Sequence, residues 1–305
     1  MTFALETILL DGRPALALAT MGRHVPLAAL AARAGLALPE LPLQEVLSRW
    51  EALWPAILQL GRASADFPDL AIAGATPVPQ FGAARSLLCA GANYYRHLAE
   101  MKVSHEKDPA RAPFFFLKPH GALVGPGRTI PLEPSVRMLD WEVELTAVIG
   151  RGGRSIPLAR ALEHVAGYTV AIDVTARDRL LQPESIFKFD FLAGKGQDGY
   201  CPTAPGLLPA AFLEDPQSTS LSLWVNGVLK QRSGTDDMIY SVAELVSWAS
   251  RLVTLAPGDL LLTGSPAGVG FPRGEFLKAG DVVRAELEGL RPAEFTVFSK
   301  EEVRA

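Results

Sequence analysis

The sequence predicts an α+β protein that is mostly β, with a small N-terminal α+β domain ahead of a larger strand-rich one. Three observations predict it. From about residue 86 onward, short apolar or alternating runs are separated by Gly/Pro turns, the spacing of a β architecture with a few inserted helices. Helical periodicity is confined to two stretches, 26–60 and 241–253. A proline-rich connector, Pro77-Val78-Pro79, lies where the character changes, which places the domains at 1–75 and 76–305. The 305 residues suit one large domain or two modest ones. With 49% hydrophobic and 20% charged residues, a sizeable core is available.

Taken in order, residues 3–20 read as two short strands around Asp11–Gly12, a pair that supplies the positive φ angles of a tight hairpin. Leu43, Val46, Leu47, Trp50, Leu53, Trp54, Ile57 and Leu58 then repeat at three- and four-residue steps, giving one apolar helical face. Pro55 is expected to kink that helix or break it. Beyond the connector, strands are expected at 86–91, 114–118, 141–150, 167–173, 221–226, 260–264 and 282–287. A helix is expected at 241–253, opened by a Ser241/Glu244 capping box. Its apolar side is Val242, Leu245, Val246, Trp248, Ala249 and Leu252. The first 75 residues hold no catalytic cluster and read as an accessory domain.

Charge and cysteine usage exclude several classes. The net charge of −4 and the absence of a Lys/Arg run leave no electrostatic footprint for nucleic acid. An anionic ligand would need locally placed positive groups, because the global field does not attract it. Cys89 and Cys201 form no CxxC pair, so two buried thiols in a reducing cytoplasm are expected. Glu6, Asp11 and Arg13 interrupt the N-terminal apolar stretches, unlike a signal peptide. No apolar run nears the ~20 residues that span a bilayer. No membrane partner is expected.

The most informative segment runs from Asp140 through Trp141-Glu142-Val143-Glu144 to Gly150. Its tail is apolar and β-prone, so it reads as a strand. Alternate residues of a strand share a face, which sets Glu142 and Glu144 side by side, roughly 7 Å apart along the chain. Two carboxylates entering a core repel each other, and a hard divalent cation with oxygen ligands relieves that repulsion. Asp173 ends a second apolar strand, Gly167 to Ile172, and is placed to supply a third ligand. A solvent-facing edge carrying Glu-x-Glu reads the same way in sequence, so the pair alone leaves both readings open.

Other residues carry chemistry. His97 and Glu100 lie three apart and are neighbours on a helical turn. Glu100 can accept from one imidazole nitrogen and leave the other as a base near neutral pH; a surface His–Glu pair fits the same spacing. Residues 102–109 are polar and turn-rich, as in a mobile lid, and include a second histidine, His105. Lys195 sits between glycines, which permit close backbone approach; a flexible solvent lysine is the alternative. Lys118 follows three phenylalanines and either snorkels or enters a site. Thr263-Gly264-Ser265 opens a Gly-rich loop able to bind a carboxylate, or simply a tight turn.

The blocks GANYYRHLAEM, FFFLKP, DWEVELTAVIG, GYTVAIDVTARD, GKGQDGYCPTAP, WVNGVLKQRSGTDDMIY and LLTGSPAGVG, in this order over roughly residues 86 to 298, resemble the fumarylacetoacetate hydrolase family. The resemblance implies a mixed β-roll or folded sandwich and a homodimer. It implies one Mg2+ or Mn2+ per subunit on Glu142, Glu144 and Asp173. It assigns a water-activating dyad to His97 and Glu100, on a segment that orders over substrate, and a catalytic lysine to Lys195. Tyr94, Lys118, Arg177, Thr263, Gly264 and Ser265 are the expected substrate-binding residues. Leu180 stands where the family often has Gln, and Gly196 and Gln197 where it often has Ser and Phe, so the substrate is less well specified than the metal site.

The activity so implied is hydrolysis of a C–C bond in a 2,4-dioxo acid of the acylpyruvate or fumarylpyruvate type. His97 would activate water, and the metal and Lys195 would hold the departing enolate. The dyad favours hydrolysis, because decarboxylation needs no activated water. A decarboxylase or isomerase of a related 2-oxo acid is the alternative. A catalytically dead binding protein is a third reading, opposed by retention of all three acids and Lys195.

Overall fold

The computed structural model describes residues 2–20, 22–82, 84–108 and 110–299. Pro109 of the expected lid and the last six residues of the chain lie outside the described residues. The N-terminal part runs β1 (Ala4–Leu10), β2 (Arg13–Thr20), β3 (Arg23–Pro26), α1 (Leu27–Arg33), α2 (Leu43–Ser48), α3 (Trp50–Ala63) and β4 (Ile72–Ala73). Then follow β5 (Leu87–Gly91), α4 (Tyr95–Glu100), β6 (Phe114–Lys118), β7 (Leu123–Val124), β8 (Ile130–Leu132), β9 (Leu139–Asp140), β10 (Val143–Ile149) and β11 (Val165–Ile172). Next come β12 (Thr175–Ala176), α5 (Arg177–Leu180), α6 (Phe191–Lys195), β13 (Cys201–Pro202), β14 (Gly206–Pro209), β15 (Ser220–Val225) and β16 (Val228–Gly234). The chain closes with α7 (Val242–Leu252), β17 (Leu260–Leu262), β18 (Val282–Leu287) and β19 (Ala293–Ser299). Strand outweighs helix, 33% to 26%, as expected.

The strands collect mainly into a ten-stranded sheet, ordered β4-β3-β2-β1-β14-β11-β10-β17-β5-β6, and a five-stranded sheet, ordered β16-β15-β18-β19-β8. Most pairs are antiparallel, but β17/β5 and β19/β8 are parallel, so both sheets are mixed. The N-terminal hairpin joins the large sheet edge-on, with Leu5 opposite Leu207. Its turn residues Asp11 and Gly12 have φ of 48° and 75°, the left-handed pair that the tight hairpin requires. No helix among the described residues is long and apolar enough to cross a membrane.

Both faces of the large sheet are covered, so β10 and β11 read as nearly unbroken apolar runs. Val143, Leu145, Ala147 and Ile149 of β10 enter the core shared with α7 and the five-stranded sheet. Val148 enters the second core, formed with α1, α2 and α3. Two sequence expectations are corrected here. The helix-patterned stretch from Pro26 breaks at Arg49 (φ −122°, ψ 24°), and α3 runs through Pro55. In α7, Leu252 is exposed and Trp248 half-buried, while Ser247 and Ser250 are buried. Ser247 donates to the Ile156 carbonyl and Ser250 accepts from the Ile156 N–H, both at 2.8 Å. This face meets a loop whose backbone groups need partners, which a hydrophobicity pattern cannot register. The Ser241/Glu244 capping box is present.

Candidate metal centre

The centre begins with strand register. In the antiparallel pair β10/β11, Val143 lies opposite Ile172 and Glu144 opposite Ala171. Glu142 and Asp173 follow just beyond the paired ends, joined by the Asp173 N–H donating to the Glu142 carbonyl at 2.8 Å. Residues directly opposite, and residues two apart, share a face. Glu142, Glu144 and Asp173 therefore converge. One carboxylate oxygen from each lies within 4.8 Å of the others, and all three residues are buried.

Cations surround two of the three. Lys195, at the end of α6, donates to Glu142 Oε2 at 2.6 Å, Asp173 Oδ2 at 2.5 Å and Thr175 Oγ1 at 2.8 Å. Lys118, at the end of β6, is buried and pairs with Asp173 Oδ1. Arg177 spans Glu142 at 2.5 Å and Asp140 at 2.9 Å. Burial alone would raise the Glu142 carboxyl, but Lys195 and Arg177 outweigh it and hold it below its ordinary value. Glu144 differs. It has no cationic side-chain partner among the described residues, and its Oε2 accepts only the Gly264 N–H at 2.6 Å. Burial, then Asp173 and Glu142, raise its carboxyl well above the usual range.

That arrangement fits a divalent ion. Three buried oxygen donors face one another, one of them without a counter-charge. Hard carboxylate donors without sulfur or imidazole match Mg2+ or Mn2+. The two thiols nearby, Cys89 and Cys201, are free, buried and pushed up by burial, Cys201 to about 12, so neither offers a thiolate.

His97 and Glu100 lie side by side on α4. His97 Nδ1 lies 2.8 Å from Glu100 Oε1, and Glu100 also accepts the Gly268 N–H at 2.9 Å. His97 is close enough to act electrostatically on Glu142. His105 is exposed. The 102–108 segment is tied to α7 by Lys107, which donates to both oxygens of Glu244 at 2.7 and 2.8 Å. Tyr94 precedes α4, fully buried, its hydroxyl without a hydrogen-bond partner among the described residues.

The Gly-rich loop after β17 is largely committed to the protein itself. Thr263 Oγ1 donates to the Leu145 carbonyl at 2.8 Å, and Ser265 Oγ accepts from Gln231 at 2.9 Å. Gly264 needs to be glycine: its φ is +95°, and a Cβ would lie 2.7 Å from Asn93 Cβ. Gly194 serves packing of α6 on α5, since a Cβ there would meet the Leu180 backbone at 2.6 Å. Leu180 is buried, and Gln197 turns back to the Ala193 carbonyl at 2.9 Å.

Sequence reasoning missed three supporting residues. Asp140 accepts from Arg177, Trp141, Gly270 and Phe271. Asn93 joins Tyr240 and Thr263, tying α4 to the ends of β17 and α7. Gln231 bridges Val143 to the Ser265 loop. Asp140 was findable, as an acid two residues before an E-x-E pair on an apolar strand. Asn93 and Gln231 act through backbone groups distant in sequence, and no local pattern marks them.

The family model described as fumarylacetoacetate (FAA) hydrolase C-terminal matches residues 86–298. A mitochondrial oxaloacetate tautomerase of Xenopus laevis is 41% identical over 206 residues, 67% of this chain and 62% of that protein. The chain thus spans about three fifths of the length of such curated relatives. The crystal structure of fumarylpyruvate hydrolase from Pseudomonas aeruginosa, in complex with Mn2+ and pyruvate, is 37% identical, with a TM-score of 0.63 over 74% of this chain and 92% of that one. The 5-carboxymethyl-2-hydroxymuconate delta-isomerase of Mycobacterium smegmatis is 28% identical, with a TM-score of 0.69 over 97% and 99%.

Proposed function

Because the chain belongs to the fumarylacetoacetate hydrolase family, we propose that it hydrolyses a C–C bond in a 2,4-dioxo acid of the acylpyruvate or fumarylpyruvate type, with a divalent metal. The observation that carries this reading is the His97–Glu100 pair at 2.8 Å, anchored by Gly268 and within electrostatic reach of Glu142. Glu142, Glu144 and Asp173 would hold Mg2+ or Mn2+, which supplies Lewis acidity toward the 2-oxo acid group. Glu100 fixes the imidazole with Nδ1–H donating, so Nε2 is the atom that takes a proton from water. The resulting hydroxide attacks the distal carbonyl, and the bonding electrons leave with the methylene carbon as an enolate. Lys195, kept as an ammonium by Asp173 and Glu142 against the effect of burial, would stabilise that negative oxygen through its charge. Protonation of the enolate carbon completes the cleavage.

A second reading is enol–keto tautomerisation of an oxaloacetate-type acid, favoured by the 41% identity to the Xenopus tautomerase. It uses the same imidazole, with a carbon-bound proton in place of the water proton. Free, buried thiols support a reducing compartment, which cytoplasm and mitochondrial interior both provide; the Xenopus relative is named as mitochondrial. The test incubates the protein with Mn2+ or Mg2+ and acylpyruvates, fumarylpyruvate or oxaloacetate, with EDTA as control. Metal-dependent loss of the diketone absorbance with pyruvate release supports hydrolysis. Faster equilibration of oxaloacetate enol without pyruvate release, and no cleavage of any acylpyruvate, replaces it with the second reading.

A further inference from the structure

Where the N-terminal strands meet the turn between β18 and β19, a second cluster of ionisable side chains forms that shares no residue with the metal centre. Strand register builds it. Ala4 lies opposite Ala19, and Ala19 opposite His24, while Glu6 is two residues beyond Ala4. Ala4, Glu6, Ala19 and His24 therefore share one face. Ala19 is small, and Glu6 and His24 meet across it, with His24 Nε2 2.8 Å from Glu6 Oε2. Both residues are 1% exposed. Arg291 reaches them from the β18–β19 turn, its Nη2 3.1 Å from the same His24 Nε2 and its Nε 3.8 Å from Glu6 Oε2. Beside the three lies a cavity of about 440 Å³, with Ala4, Ala19, Leu290 and Pro292 among its walls. Sites for small organic ligands run from roughly 300 to 1,000 Å³.

The cluster is short of an acceptor. A ring nitrogen either donates or accepts. If Nε2 donates to Glu6, it meets the Arg291 N–H donor against donor; if it accepts from Arg291, its lone pair faces a carboxylate oxygen. No tautomer satisfies both contacts. The other ring nitrogen, Nδ1, is buried without a hydrogen-bond partner among the described residues. Arg291 carries five N–H donors, yet its oxygen contacts among the described residues are long, the Ala75 carbonyl at 3.4 Å and Glu6 at 3.8 Å. Its side chain is 31% exposed, so a molecule in the cavity can reach it.

We propose that this cavity is a second ligand site, which takes a small monocarboxylic acid with an apolar body: the carboxylate accepts from Arg291, and the body lies on Ala4, Ala19, Leu290 and Pro292. A guanidinium engaged by a carboxylate is held by charge-assisted hydrogen bonds that the protein alone does not give it. Drawn toward the ligand, it leaves His24 Nε2 free to donate to Glu6, and the conflict at that nitrogen is removed. A single negative charge suits the site, because a dianion would bring its second charge close to buried Glu6. A 2-oxo acid, polar along much of its length, has little to place on the apolar walls, so the two sites take different acids. The inference is independent of the reaction catalysed. Because Glu6 and His24 belong to β1 and β3 and Arg291 to the β18–β19 turn, the ligand also ties the two ends of the chain together.

The test is calorimetric titration of the full chain with benzoate, for the wild type, Arg291→Gln and Ala19→Leu, with EDTA present so that Glu142, Glu144 and Asp173 hold no ion. Benzamide, the same shape without the charge, and pyruvate, a carboxylate without the apolar body, are the controls. Arg291 lies half-buried on a turn and Ala19 half-buried on a strand, so either replacement spares the core, and circular dichroism checks this. The expected result is one benzoate per wild-type chain with a Kd on the order of 1 mM. Arg291→Gln weakens it at least about tenfold, the loss of a hydrogen bond to a charged group. Ala19→Leu fills the cavity and abolishes it, and neither control binds measurably. Benzoate is also expected to raise the protection of the β1 and β3 amides from hydrogen exchange. No binding of benzoate to the wild type, an affinity unchanged in either variant, or a control that binds as tightly as benzoate overturns the proposal.

Discussion

Replacing Asp140 tests whether the centre is held by its surroundings or only by its three acids. Asp140 is fully buried. Its Oδ1 accepts the N–H of Trp141 at 2.8 Å and of Gly270 at 2.7 Å; its Oδ2 accepts Phe271 N–H at 3.0 Å and Arg177 Nε at 2.9 Å. Asp140→Ala leaves the Arg177 guanidinium with Glu142 alone and strands backbone donors in the interior. A stranded buried donor costs about 1–3 kcal/mol, and removing one partner of a buried ion pair about 3–5 kcal/mol. These terms share the same atoms, so the expected loss is about 4 kcal/mol rather than their total. Asp140→Asn keeps the shape and one acceptor, but turns an NH2 toward Arg177 and Phe271, donor against donor. It is expected to lose about 2 kcal/mol by the same reasoning. Urea unfolding followed by tryptophan fluorescence reads the stability. Calorimetric titration with Mn2+ on the folded Asn variant reads the positioning role, expected as a roughly 10–100-fold weaker affinity. A Mn2+ affinity unchanged in Asp140→Asn, in a background where Glu142→Gln abolishes binding, would refute the claim that Asp140 positions Glu142 through Arg177.

Two further outcomes follow from the geometry. His97→Asn is expected to lower kcat roughly 10²–10⁴-fold while Mn2+ affinity by calorimetry stays near the wild-type value; equal loss of both would make His97 part of the metal shell instead. Glu244→Gln keeps an acceptor for the Ser241 N–H but loses the charge that holds Lys107. Tryptic cleavage in the 102–108 segment should then rise several-fold, the share of an ion pair worth about 0.5–1 kcal/mol. Burial would raise the Glu244 carboxyl, but Lys107 and Ser241 outweigh it and lower it. A depressed carboxyl stabilises above its unfolded pKa and loses that contribution only as pH falls through the folded value. Protection of 102–108 from exchange, corrected for intrinsic rates, should therefore be flat from about pH 8 to 6. A decline within that range would point to a different tether.

What was legible in the sequence is what local pattern encodes. Strands such as 114–118 and 282–287 are bounded as expected because turn residues flank them, and Ser241 and Glu244 mark their helix through a cap that needs only four residues. The face shared by Glu142 and Glu144 follows from strand alternation alone. That Asp173 lies beside them depends on the β10/β11 register, and its position at a strand end only hinted at this. Legibility fails where partners are remote. The pairing of Leu5 with Leu207, the Asn93 bridge between β17 and α7, and the burial of Ser247 and Ser250 all answer to neighbours far along the chain. The helix-like stretch from Pro26 misled for a related reason: a periodic apolar face says which side is buried, and not whether one helix or three present it.

The electrostatics of the centre join these levels. Asp140, Glu142, Glu144 and Asp173 bring four carboxylates into the interior, and Lys118, Arg177 and Lys195 bring three cations. The cations therefore fall one short of the carboxylates, and the geometry singles out Glu144, which among the described residues has no cationic side-chain partner and whose carboxyl is pushed well above the usual range by burial, Asp173 and Glu142. Burying an unpaired charge is unfavourable by several kcal/mol, so without an ion the Glu144 carboxyl favours its protonated form. A divalent ion among the three acids would displace that proton and bring the local balance to one positive charge. The carboxylate of an oxo acid would then neutralise it. A chain whose net charge is −4 has no global field to draw in an anion, and this local positive charge would allow it to bind one. It follows that the anion should bind only after the metal. An oxo acid or its unreactive analogue, titrated without Mn2+ or Mg2+, is expected to show no measurable affinity, and equal affinity with and without metal would refute the charge argument.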